Sequence, residues 1–142
     1  MASDLINLKI MVLCTIVYLE ETMLLKLYSF HRWAKREKLT DQVLKKIAEE
    51  VASGLIDADL GGGLFKKRFA KAGQGKRGGY RSLLAFKQNG RAVFLLGFSK
   101  NDRDNIEETQ LKELKKLSKI FLMMSEKKIK TLIKDKKLIE VK

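Results

Sequence analysis

The stretch Gly61-Gly-Gly-Leu-Phe-Lys-Lys-Arg-Phe-Ala70 decides the fold, because the apolar period changes there from helical to two. From Leu64 to Ala70 the alternation puts Phe65, Lys67 and Phe69 on one face of a strand, and Lys66 and Arg68 on the other. Upstream, Phe30, Trp33, Ala34 and Glu37 recur at helical spacing, which predicts a helix over Ser29–Lys38. Thr40 or Asp41 is placed to cap a second helix, with Val43, Leu44, Ile47, Ala48 and Val51 as its apolar stripe and Gly54 as its stop. Downstream, Lys71–Gly79 reads as a glycine-punctuated turn and Tyr80–Lys87 as a second strand. The Asn89-Gly90 pair then signals a hairpin into a third strand, Ala92–Phe98, completing an antiparallel meander. Helical spacing returns over Thr109–Met124, and Ser125 can cap a short last helix carrying Ile129, Leu132 and Ile133. Helices, then strands, then helices describe a segregated α+β domain.

The N-terminal segment stands apart. Residues 5–19 (LINLKIMVLCTIVYL) are the most apolar part of the chain, and their run from Ile10 to Leu19 is too short to span a bilayer. Asp4 and the Tyr18-Leu19-Glu20-Glu21 exit suit a signal peptide badly, whereas β-branched Ile10, Val12, Thr15, Ile16 and Val17 suit a buried strand. A start at Met11 or Met23 is an alternative, and Leu24–Ser29 then competes for the role of first strand. The expected division is an atypical extension over 1–22 and a single domain over 23–142.

Charge points to function. The 142-residue chain carries a net +13, with 30 basic and 17 acidic residues. Between Leu60 and Asn101 there is no acid, yet Lys66, Lys67, Arg68, Lys71, Lys76, Arg77, Arg81, Lys87, Arg91 and Lys100 all fall there. Solvated faces normally intersperse both signs. An acid-free strip on a sheet costs self-repulsion and is expected where an anionic polymer gains from it. The lone His31 rules out a multi-histidine metal site and the lone Cys14 an internal disulfide, so catalysis falls to Lys, Arg, Tyr or carboxylates. Gly73-Gln-Gly-Lys-Arg-Gly78 matches GxGxxG, but a strand pattern follows it instead of a helix, so it reads as a basic turn and no cofactor is expected.

Four blocks carry a resemblance: Phe30-His-Arg-Trp-Ala-Lys-Arg-Glu37, Gly54-Leu-Ile-Asp-Ala-Asp-Leu-Gly-Gly-Gly63, Gly73-Gln-Gly-Lys-Arg-Gly-Gly-Tyr-Arg81 and Gly97-Phe-Ser-Lys-Asn-Asp-Arg-Asp-Asn-Ile106. In order and spacing, over about residues 27–141, they resemble the HigB-like branch of the RelE/ParE toxin superfamily. The resemblance implies a bacterial type II toxin of RelE-like fold. Its expected architecture is two N-terminal helices on a small twisted antiparallel sheet, with C-terminal helices. It implies cytoplasmic, metal-free cleavage of mRNA on the ribosome and no membrane association. It also implies a cognate helix-turn-helix antitoxin, with operator DNA bound only by the toxin–antitoxin complex.

Site positions carry over unevenly. The paired basic residues match Lys66 and Arg68, and the arginine of the Gly-Tyr-Arg motif matches Arg81. A catalytic arginine of relatives falls at Asn101, with Arg103 two residues on as its substitute. A later tyrosine of relatives falls near Glu107, and no tyrosine follows Tyr80. The candidate catalytic set is therefore Lys66, Arg68, Arg81, Tyr80 and Arg103, with Lys66 and Tyr80 as proton carriers and the arginines on the phosphate. Lys67, Lys71, Lys76, Arg77, Lys100 and Asn101 are candidates for holding the strand. The alternatives are a ParE-type toxin that inhibits DNA gyrase, or a binding module that cuts nothing.

Overall fold

The computed structural model describes residues 22–70, 79–103 and 105–142. The apolar segment 5–19 and the turn bearing Lys71, Lys76 and Arg77 lie outside the described residues. The chain runs β1 (Met23–Leu27), α1 (Tyr28–Arg36), α2 (Asp41–Ala52), β2 (Ala58–Gly61), β3 (Leu64–Phe69), β4 (Tyr80–Phe86), β5 (Arg91–Ser99), α3 (Glu108–Met123), α4 (Glu126–Lys134) and β6 (Leu138–Glu140).

The two N-terminal helices follow the apolar spacing. In α2 the buried residues are Leu44, Ile47, Ala48 and Val51, while Val43 at the edge of the stripe is exposed. Thr40 Oγ1 accepts the Val43 N–H at 3.3 Å and satisfies one of the free donors of the first turn. A strand precedes these helices, however. β1 occupies most of the Leu24–Ser29 candidate, and Leu25 is wholly buried in it.

The expected antiparallel sheet is corrected to a mixed one. The strand order is β2-β3-β4-β5-β1-β6, in which the meander β3-β4-β5 forms the centre. β1 runs parallel to β5, from Met23↔Arg91 to Lys26↔Phe94, and β6 closes that side antiparallel to β1. The crossover that parallel pairing requires is supplied by everything between β1 and β5. Period-two alternation then builds two cores. Phe69, Tyr80, Leu84 and Phe94 pack under α1 and α2, whereas Leu64, Leu83, Ala85, Val93 and Phe98 face α3 and α4.

Two contacts seat α3 on its face. Arg91 Nη1 donates to the carbonyls of Phe121 at 2.9 Å and Met124 at 2.6 Å, capping the helix C-terminus with a cation. Ser118 Oγ donates to Gly62 O at 3.0 Å, and a side chain at Gly63 would collide with Leu122.

On the other face, Trp33 sits directly on Gly97. A Cβ at that position would run into Trp33 Cζ3 and Cε3, and the indole is boxed in by Phe30 at 5.4 Å and Tyr80 at 5.5 Å between ring centroids. Gly97→Ala is therefore expected to cost about 1–3 kcal/mol by overpacking. Urea unfolding of the variant, followed by far-UV circular dichroism, checks this.

Candidate nucleic-acid interface

The strand alternation that builds the α3-side core also assembles the cations. Lys66 and Arg68 on β3 share the face of Leu64, and Arg81 on β4 shares the face of Leu83. Arg68 and Arg81 are direct cross-strand partners, and Arg81 is in turn the partner of Phe98 on β5. Two like charges in this relation destabilise a sheet unless something negative lies between or above them. Arg68 is exposed, and its backbone N–H is held by the Asp57 carboxylate.

Arg81 is only 5% exposed, and its Nε has no hydrogen-bond partner among the described residues. Buried charges are normally paired, because withdrawal from water costs several kcal/mol. Here the nearest strand neighbours are a second arginine and a phenylalanine. Arg103 extends the group. Its guanidinium carbon lies 5.1 Å from the Phe98 ring centroid, and Nη1 donates to Gln110 Oε1 at 2.8 Å. Lys66 lines a cavity of about 290 Å³ together with Asn105 and Glu108. Lys100 and Asn101 are exposed in the turn after β5, where the Lys100 N–H donates to Gly79 O.

Two expected site residues are elsewhere. Tyr80 points to the α1 side, 2% exposed, with its hydroxyl donating to Glu37 Oε2 at 2.8 Å. Burial, and after it the Glu37 carboxylate, push the phenol up to about 12. As the residue next to Arg81 in a strand, it does not share that face, and its ring is part of the α1-side core. Lys67 also turns to the α1 and α2 side, where Nζ pairs with Glu50 Oε2 at 3.1 Å. The structure thus brings together Lys66, Arg68, Arg81 and Arg103, and separates Tyr80 and Lys67 from them.

Sequence reading missed Asp57, Gln110, Asn105 and Glu108. Gln110 follows Arg103 by seven residues across a loop, a spacing with no local meaning, and only the α3 stripe hinted that this helix would lie over the cations. Among the described residues no group of three or more His, Cys, Asp or Glu side chains gathers as a metal-ligating cluster. No helix of the described residues is long and apolar enough to cross a membrane.

A small α+β domain with a mixed sheet, one face of which gathers Lys66, Arg68, Arg81 and Arg103, is the class that the fold and the site define. A family model described as the RelE toxin of the RelE / RelB toxin-antitoxin system matches residues 22–141, and the chain belongs to that family. It is accordingly the toxin of a toxin–antitoxin module, with an antitoxin as its partner. Searches of curated proteins and of solved structures returned no match.

Proposed function

We propose that the chain is an mRNA endoribonuclease of the HigB-like branch, which stops translation by cutting mRNA on the ribosome in the cytoplasm without a metal. The observation that carries this reading is the buried, unpaired Arg81 Nε in register with Arg68. A phosphodiester is the ligand that supplies what both lack, since a guanidinium fork matches two phosphate oxygens at once.

Cleavage then proceeds by attack of the 2′-hydroxyl oxygen on phosphorus. The O2′–P bond forms as the 2′-hydroxyl gives up its proton, the P–O5′ bond breaks as the departing O5′ takes a proton up, and the products carry a 2′,3′-cyclic phosphate and a 5′-hydroxyl. Arg81 and Arg68 stabilise the charge that grows on the non-bridging oxygens, and Lys66 is the proton carrier at the same face. Arg103, Lys100 and Asn101 hold the flanking nucleotides, and Lys71, Lys76 and Arg77 steer the strand in. A helix-turn-helix antitoxin neutralises the toxin, and their complex binds the operator.

Induced expression separates this reading from gyrase inhibition. Pulse-labelled protein synthesis is expected to stop within minutes while plasmid supercoiling stays normal. Loss of supercoiling ahead of any effect on synthesis would favour a gyrase inhibitor instead.

A further inference from the structure

We infer that the cleft where β1 leaves the sheet is a nucleobase subsite which, on the ribonuclease reading above, seats a base flanking the bond that is cut. β1 pairs with β5 only as far as Lys26↔Phe94, and the chain then turns into α1, while β5 continues to Ser99. The stretch of β5 from Leu95 to Phe98 therefore borders a cavity of about 290 Å³ that α1 and the loop after β5 enclose. It lies beyond the carboxyl end of β1 in the parallel β1–β5 pair, a place where open sheets commonly hold ligands.

The walls select a flat heterocycle. Trp33 supplies aromatic surface, and Arg36 and Arg103 supply two guanidinium groups, planar side chains on which bases stack. Gly97 lets the indole descend onto the strand backbone, which keeps the floor of the cleft flat. Asp102 at the rim disfavours a bare phosphate there, and it offers an acceptor to the amino and imino edges of a base. Phe98, which borders the cleft, is the strand partner of Arg81, so the cleft opens at the edge of the strand pair that carries the proposed phosphate position. An extended peptide pairing with β5 fits less well, because α1 roofs the strand there through Trp33 and Arg36.

Trp33 is the only tryptophan of the chain, which makes its emission a reporter of this cleft. The probes are uncleavable 2′-O-methyl RNA trinucleotides of each base, and the same backbone carrying abasic sites. Saturable quenching of Trp33 by base-bearing probes and none by the abasic one is expected, with one base preferred. Asp102→Asn is expected to change that preference about tenfold while the melting temperature stays at the wild-type value. Equal titration by both kinds of probe, no change in emission, or an unmoved base preference in the variant would each overturn the subsite. So would quenching by a strand-forming antitoxin peptide and not by RNA. If the bases quench but the wild type cuts no RNA, the subsite stands and the ribonuclease reading falls.

Discussion

Arg81→Ala is expected to lower the rate of RNA cleavage at least about 100-fold, the loss typical when one preorganised donor to a developing anion is removed. Its effect on stability should run the other way from that of an ordinary buried residue. Among the described residues the Arg81 Nε is unpaired and its cross-strand partner is Arg68, so its charge opposes folding. Removal relieves that burden, at the cost of a cavity beside Phe98. The melting temperature should hold or rise, while single-turnover cleavage collapses. An arginine that served only the fold would give the reverse, a clear drop in melting temperature with cleavage intact in the fraction that remains folded.

The largest loss of stability is expected from Asp41→Ala. Asp41 opens α2, accepts Lys26 Nζ at 2.7 Å and takes the Lys142 backbone N–H at 2.7 Å. It thereby joins the first strand, the second helix and the last residues of the chain. Lys26 is 5% exposed, so deleting its partner leaves a buried ammonium uncompensated, a change that costs about 3–5 kcal/mol.

The same contact sets an acid limit. Burial alone would raise the Asp41 carboxyl, but the hydrogen bonds from Lys26 and Lys142 outweigh it and hold the group below its ordinary 3.8. A carboxyl depressed in the folded state contributes stability that is fully present above the ordinary value. That contribution is lost as pH falls through the lower, folded value. Urea unfolding from pH 7 down to pH 3 should show wild-type stability falling at the acid end more steeply than that of Asp41→Asn. Parallel curves for the two proteins would show that Asp41 does not set the limit.

Much of the fold was legible because its signals are local. Thr40, the stripe from Leu44 to Val51 and the alternation from Leu64 to Phe69 each act within a few residues of themselves. The placement of β1 was not, since Met23 pairs with Arg91 through contacts that leave no periodic mark on either segment. β2 and β6 are only four and three residues long, too short to display a period. At the site, the separation of Tyr80 from Arg81 follows from strand parity alone, and so does that of Lys67 from Lys66 and Arg68. What parity cannot supply is the path of the loop after β5, and it is this loop that carries Arg103 over Phe98 and Asn105 beside Lys66.

Primer extension on mRNA from cells expressing the wild type or Arg81→Ala tests the central claim most directly. The account predicts new 5′-hydroxyl ends inside reading frames for the wild type and intact messages for the variant at equal protein level. Intact mRNA in wild-type cells whose growth has stopped, or the same cuts in the Arg81→Ala cells, would contradict it.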